Sequence, residues 1–302
     1  MLRGEDVVPV PLAGEPPFVT RFAPSPTGLL HLGHAYSALF AHQTAQACGG
    51  RFLLRIEDID HTRCRGEFEQ TIIDDLRWLG LRWEAPAARQ STRIAVYQGA
   101  LGQLKRLGMV YPCFCTRQQI RREIADAASA PQGPSGEAVY PGTCRGLDAD
   151  IAAERMRRGE PHAWRLDVTK ALAATGPLHW YDVRGGWQRC RAADFGDVVL
   201  ARKDIPTSYH LAVTVDDAEQ GVTLVTRGED LFASTHVHRL LQALLGLPAP
   251  HYYHHNLVAG ADGQRLAKRN RSASLRYFRE RGETPSSIWS KLGLEPAAAA
   301  AG

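Results

Sequence analysis

The chain has 302 residues, 44% of them apolar and 23% charged, an ordinary composition for a soluble globular protein with room for one large or two ordinary domains. Its net charge of +4 fits a partner that carries phosphates without proving one. No apolar run approaches a membrane span, residues 1–17 lack the apolar core of a secretory signal, and six cysteines in so long a chain argue against a disulfide scaffold and for reduced thiols or a metal site in the cytoplasm.

Residues 1–17 read as a flexible leader. A short buried strand follows at 18–20. A helix is predicted over 35–47, with Ala35, Leu39, Phe40, Ala41 and Ala45 on its apolar side and Gly49-Gly50 as its stop. Residues 51–57 alternate Phe52, Leu54 and Ile56 against polar neighbours and read as a second strand. A charged loop leads to a helix over 67–79, whose Phe68, Ile72, Leu76 and Leu79 share one face, and another helix covers 92–107. This βαβα order predicts an α/β protein with a Rossmann-type, doubly wound parallel sheet and right-handed crossovers.

From Tyr111 the texture changes. Residues 111–194 hold clustered cysteines, a Pro/Gly/Ser-rich stretch at 130–136 and a strand candidate at 162–168, and read as an inserted subdomain. The Rossmann-type domain then comprises 18–110 and 195–286. Its second part offers strands at 195–202, 222–226 and 255–258 and helices at 208–218 and 234–245. Residues 287–302 read as a tail, and no internal repeats are visible.

The stretch at 21–34, RFAPSPTGLLHLGH, lies between the first strand and the first helix. A strand, a Gly-containing turn and a helix start frame a phosphate site, because free N–H groups and the helix dipole point at the turn. His31 and His34, around Gly33, stand three apart at the helix entrance and are placed to donate hydrogen bonds to a phosphate whose charge grows in a transition state. Alone, HxGH arises by chance and can simply open a surface helix. The whole stretch is far more specific: it resembles the N-terminal signature of class I aminoacyl-tRNA synthetases, and RFAPSPTG followed by HLGH resembles the glutamyl branch in particular.

A second basic stretch, Arg265-Leu266-Ala267-Lys268-Arg269, follows Gly260 and Gly263. A lysine on a Gly-containing loop suits departing pyrophosphate, although a lone basic pentapeptide is more often a solvated face. It stands where the resembled family carries its KMSKS signature. Lys268 matches the second lysine, while Arg265 and Ala267 replace the first lysine and the serine. The resemblance also implies a glutamate pocket made of Arg21, Phe22, Ala23, Pro24, Ser25, Glu57, Tyr209 and Arg227, and ATP contacts from His31, Gly33, His34 and Lys268. A carboxylate such as Glu57 suits the ammonium of an amino acid, and planar guanidiniums suit its side-chain carboxylate. Without the resemblance, Tyr209 and Arg227 would read as ordinary surface residues.

Cys113 and Cys115, then Tyr140 and Cys144, form the third cluster. Spacing alone leaves a zinc site and reduced structural thiols both open. The glutamyl-queuosine synthetases, short relatives of glutamyl-tRNA synthetase, carry a Cys-x-Cys…Tyr…Cys zinc site, and the resemblance implies the same four ligands here. Arginines at 117, 121 and 122, at 155, 157 and 158, and in 265–281 are candidates for RNA backbone contact or plain solvated faces.

Little chain follows Lys268, leaving no room for an anticodon-binding domain. The resemblance therefore implies the truncated branch: a cytoplasmic, monomeric enzyme that uses ATP, Mg2+ and Zn2+. It activates L-glutamate as an adenylate and transfers it to queuosine in the anticodon of tRNA(Asp). A truncated synthetase charging tRNA(Glu), another HxGH nucleotidyltransferase and a non-catalytic RNA-binding paralogue are the alternatives.

Overall fold

A computed structural model describes residues 6–126, 133, 134, 136, 139–258 and 274–294. In chain order the elements are β1 (Val19–Phe22), α1 (Leu32–Ala47), β2 (Arg51–Ile56), α2 (Gly66–Trp78), β3 (Ala88–Arg89), α3 (Ile94–Arg106), β4 (Val110–Cys113), α4 (Arg117–Asp126) and α5 (Ala149–Arg157). They continue with β5 (Ala163–Leu166), α6 (Val168–Thr175), β6 (His179–Asp182), β7 (Gly186–Arg189), β8 (Val199–Ala201) and α7 (Tyr209–Glu219). The last are β9 (Leu224–Gly228), α8 (Ser234–Leu245), β10 (His251–His255), α9 (Leu275–Glu280) and α10 (Pro285–Lys291). Among the described residues, no helix is long and apolar enough to cross a membrane.

β1, β2 and β3 pair in parallel, as do β9, β10 and β6. β1 lies beside β9, where the Thr223 amide donates to the Val19 carbonyl at 3.0 Å. The parallel order is thus β3-β2-β1-β9-β10-β6, with β7 antiparallel at the edge. The expected α/β architecture with a parallel sheet is present. Its strand order reverses between β1 and β9, the switch point where open α/β sheets hold ligands.

Sequence spacing explains the α1 layer. Its buried side includes Ala35, Leu39, Phe40 and Ala41, and these join Phe52, Leu54 and Ile56 of β2 and Leu224 and Tyr253 of the other half-sheet in one core. The opposite sheet face carries Leu53, Val225 and Tyr252. The chain turns from α1 into β2 at Gly50, where a Cβ would sit 2.0 Å from the Phe18 carbonyl oxygen, so only glycine fits.

Four elements depart from the sequence reading. β8, expected to rejoin the parallel sheet, pairs antiparallel with β5, which in turn pairs with β4. β6, within the stretch read as inserted, joins the parallel sheet beside β10. The last strand falls at 251–255 rather than 255–258, because HYYHH has no alternation to mark it. Finally, 287–291 is not tail: it belongs to α10, whose Ile288 and Trp289 are buried against α2 and the α1 core. The expected flexible leader is also tied down at Asp6. Its carboxylate accepts from Tyr36 Oη at 2.8 Å and the Asn256 amide at 3.1 Å, and pairs with Arg184 at 3.1 Å.

Candidate active site

A cleft of about 710 Å³ opens at the C-terminal ends of β1 and β9. One wall is the β1 exit, Arg21 to Ser25, with Glu57 after β2, and the other is Thr226 to Gly228 with Tyr209 at the start of α7. His31, Gly33 and His34 close the end nearest α1. The fold therefore gathers every residue expected for the glutamate and ATP sites except Lys268. Lys268, with Arg265 and Ala267, lies outside the described residues.

The two histidines are fixed by α1 itself. His31 is its N-cap: the Gly33 amide donates to His31 Nδ1 at 3.1 Å, and the His31 amide donates to His34 Nδ1 at 3.2 Å. Because both Nδ1 atoms accept, both rings carry their hydrogen on Nε2. The rings stack with centroids 3.8 Å apart. Gly33 leaves room between them, since a Cβ there would approach the His31 ring to 3.1 Å and push it by a few tenths of an ångström. The result is a pair of oriented donors beside the positive end of a 16-residue helix, a setting for an anionic phosphate.

The two arginines expected to meet a carboxylate are placed differently. Arg21 is already engaged: its Nε lies 3.0 Å from Asp217 Oδ1, and its Nη1 donates to the Thr226 carbonyl at 3.2 Å. Asp217 also receives Arg55 Nη1 at 2.7 Å, and Arg55 reaches Glu57 at 3.2 Å. Burial pushes the Asp217 carboxyl up, but the guanidiniums of Arg21 and Arg55 outweigh it and hold it below the usual range. Burial also pushes Glu57 up, and there Arg55 and Arg21 oppose without overcoming it.

Arg227 is only 5% exposed, yet no carboxylate pairs with it among the described residues. Its guanidinium donates instead to Thr235 Oγ1 at 2.5 Å, His254 Nε2 at 3.2 Å, Tyr209 Oη at 3.4 Å and His238 Nδ1 at 3.4 Å. Arginine only donates, so both imidazole atoms facing it accept. His254 then donates from Nδ1 to Asp182 at 2.6 Å, and His238 from Nε2 to His210 at 3.1 Å. Burial lowers His254 and His210 to about 4, helped by the charge of Arg227. Burial and Arg227 hold His238 well below its ordinary value. Arg227 is thus a buried cation ringed by neutral acceptors and open to the cleft, which suits an incoming carboxylate.

Sequence reasoning missed Arg55, Asp182, Asp217, His238 and His254, which hold these groups in place. Arg55 stood in plain view as the polar partner in an alternating strand but is fully buried. Asp217 pairs with a residue 196 positions away, which no local pattern encodes.

The cysteine cluster forms as expected. The sulfurs of Cys113, Cys115 and Cys144 lie within 4.8 Å of one another, a set able to hold a metal ion. Tyr140 Oη sits 3.4 Å from Cys113 Sγ and 3.5 Å from Cys115 Sγ. Burial raises the Cys115 thiol to about 11. At Cys144 burial is outweighed by hydrogen bonds, the Phe114 backbone first, and the thiol falls below its ordinary value. Of the arginines considered for RNA contact, Arg155 pairs with Glu160, and Arg157 and Arg158 with Glu154, as on a solvated helix face.

Comparisons with known proteins agree with this architecture. Residues 17–299 match the family described as tRNA synthetases class I (E and Q), catalytic domain. The glutamyl-Q tRNA(Asp) synthetase of Rhodobacter capsulatus is 49% identical over 286 residues, covering 91% of this chain and 100% of that one. The protein of the same name from Nocardia farcinica is 44% identical, with 91% of this chain and 85% of that one covered. The solved glutamate tRNA ligase of Elizabethkingia meningosepticum, in complex with its amino acid, superposes with a TM-score of 0.71 at 29% identity over 84% of this chain, which spans 52% of the ligase. The chain belongs to the class I (E and Q) tRNA synthetase family, in the branch of the glutamyl-Q tRNA(Asp) synthetases.

Proposed function

We propose that this chain activates L-glutamate with ATP as the glutamyl adenylate and transfers the glutamyl group to queuosine in the anticodon of tRNA(Asp). The observation that carries the first half is Arg227, a buried guanidinium with no carboxylate partner among the described residues, in the same cleft as the oriented His31 and His34. The names of the near full-length relatives support the acceptor.

Arg227, with Tyr209, receives the side-chain carboxylate, and the cleft face of Arg21 completes the pocket floor. Glutamine would leave the Arg227 charge unmatched, which is costly for a buried cation. Glu57 receives the ammonium. One oxygen of the α-carboxylate attacks the α-phosphorus in line, the bond to the bridging oxygen breaks, and pyrophosphate leaves with that electron pair. His31 and His34 donate to the crowded phosphate from Nε2, and the start of α1 adds its dipole. ATP enters as its Mg2+ complex, the ion neutralising charge on pyrophosphate. Lys268 is proposed to do the same. A hydroxyl of the modified base then attacks the adenylate carbonyl, loses its proton and displaces AMP.

The residues of the cysteine cluster fit zinc. Ligands about 2.3 Å from a tetrahedral ion stand about 3.8 Å apart, close to the 3.4 Å between Cys115 and Cys144 and the 3.4 Å between Cys113 and Tyr140. Bound there, zinc would clamp the start of α4 to the 140–144 turn.

The test is transfer of labelled glutamate, with ATP, to tRNA(Asp) carrying queuosine, the same tRNA without it, and tRNA(Glu). Label on the first alone is expected. Label on tRNA(Glu) would make the chain a minimal glutamyl-tRNA synthetase and overturn the acceptor. In parallel, Lys268→Ala is expected to abolish glutamate-dependent ATP–pyrophosphate exchange while sparing the fold, and near-normal exchange would remove Lys268 from the mechanism.

A further inference from the structure

Away from the reaction centre, a second cavity of about 450 Å³ opens between α3, β5 and the 201–206 loop. A smaller polar cavity links it to the cleft. That middle cavity shares Ser25, Glu57 and Tyr209 with the cleft, and Arg202 and Ile205 with the outer cavity. The three cavities adjoin in a row that leads outward from the cleft. Activation of an amino acid by ATP uses none of the outer cavity.

Its lining has two features that belong together. The first is aromatic: His162 and Trp164 stand with ring centroids 5.4 Å apart, and Phe114 lies 5.5 Å from His162. Both His162 and Trp164 keep part of their surface exposed in the cavity. The second is cationic. Lys105 Nζ lies 3.7 Å from the Trp164 ring centroid, and Lys203 Nζ donates to the Phe114 carbonyl at 2.9 Å. Among the described residues neither ammonium has a carboxylate partner. Arg202, by contrast, is already paired with Asp60 and Asp204. Burial against the indole lowers the Lys105 ammonium, so this charge is held where an anion would relieve it.

Flat rings that stack a base, beside ammonium groups that meet a phosphate, are the chemistry of single-stranded nucleic-acid binding. An acidic peptide would use the lysines and leave the rings unexplained. A duplex could not present a base face to Trp164 at all.

We propose that the outer cavity seats an unpaired nucleotide of the RNA loop that carries the acceptor base. Its base lies flat on Trp164 with the His162 ring, set at 79° to the indole, at its edge, and it displaces the Lys105 ammonium from that face toward the phosphate, which Lys203 also meets. The inference rests on the proposed function, because a loop nucleotide reaches the outer cavity only if an RNA loop delivers the acceptor to the cleft. It assigns specificity to the shape and charge of this cavity, so that the neighbour of the modified base is held before the hydroxyl reaches the middle cavity.

The experiment uses the full chain with Lys105→Gln, Trp164→Leu and Trp164→Phe. Three quantities are read: glutamate-dependent ATP–pyrophosphate exchange without RNA, KM for the accepting RNA in transfer, and anisotropy binding of a labelled anticodon stem–loop of tRNA(Asp) across a salt series. Lys105→Gln is expected to leave exchange within about twofold of the parent and raise KM about tenfold. It should also flatten the salt dependence of stem–loop binding by about one unit of slope. Trp164→Leu is expected to weaken stem–loop binding about tenfold, with Trp164→Phe retaining most of it, because a stacking face survives. KM and binding of Lys105→Gln both within twofold of the parent would overturn the proposal, as would a parent that does not bind the stem–loop. If Trp164→Leu fails to fold, which loss of its exchange would reveal, the exposed Lys105 still decides. If label goes to another RNA, the acceptor reading fails, and the same comparison of Lys105→Gln with the parent, made with the stem–loop of that RNA, judges the cavity separately.

Discussion

Arg55 and Arg227 are both buried arginines, and the molecule treats them in opposite ways. Arg55, on β2, is fully enclosed and answered by Asp217, Glu57 and, at 3.7 Å, Asp216. Arg227, on β9 across the switch point, donates among the described residues to a hydroxyl, a phenol and two imidazoles and lies 5.4 Å from the Tyr252 ring centroid. A buried charge is costly unless it is paired. Pairing within the protein makes Arg55 part of the scaffold, whereas Arg227, with no carboxylate partner among the described residues, is the one proposed to take its partner from solution. On the proposed function this pairing, more than exposure, tells the structural cation from the recognition cation, since the two are 0% and 5% exposed.

The comparison breaks first at Arg227. Arg227→Gln is expected to lower kcat/KM for glutamate in exchange about a thousandfold and to erase discrimination against glutamine, as loss of one member of a buried ion pair does. Its melting temperature should move little, because no carboxylate is orphaned. A large loss of stability with normal glutamate selectivity would reverse the assignment. At the other site, Asp217→Asn is expected to cost about 3 kcal/mol of stability, read by denaturant unfolding, because Arg21 and Arg55 both lose their shared charge. Retained stability would mean that Glu57 and Asp216 suffice for them.

The imidazoles sharpen the contrast through pH. His210 and His254 take up protons near 4 when folded, against about 6.5 when free. Between those values the unfolded chain binds more protons, so their contribution is whole above about pH 6.5 and is lost as pH falls toward 4. Stability is expected to drop on the order of 2 kcal/mol from pH 7 to 5.5. A flat profile would show that these rings titrate normally. The smallest effect belongs to the exposed Arg51–Glu84 pair: Arg51→Ala should shift the melting temperature by less than about 1 °C.

Much of this was legible in the sequence, and the reason differs by element. β1, α1 and β2 follow from local patterns of apolar residues and glycine stops, and the cleft residues follow from the family resemblance carried by RFAPSPTG and HLGH. The helix at 234–245 was placed to the residue. What could not be read were long-range pairings. Asp217 looks like any helix acid until the fold sets it beneath Arg21 and Arg55. His238 and His254 look like scattered histidines until Arg227 fixes their tautomers. β10 hid because His251–His255 offers no alternation, and Asp6 because three of its partners lie 30 to 250 positions away. The division of labour between Arg21 and Arg227 was likewise invisible, since the two carry the same side chain and both border the cleft.

The reciprocal bonds at the start of α1 bear on how the histidine motif should be dissected. His31 closes the helix with Nδ1 and points its hydrogen from Nε2, so alanine scanning there confounds two losses: a frayed helix end, on the order of 1 kcal/mol, and a missing donor. Asparagine at 31 preserves an acceptor for the Gly33 amide and isolates the chemistry. An imidazolium at 31 would still donate from Nε2 but would have no lone pair left for that amide, so a proton there loosens the first turn of α1 without removing the phosphate donor.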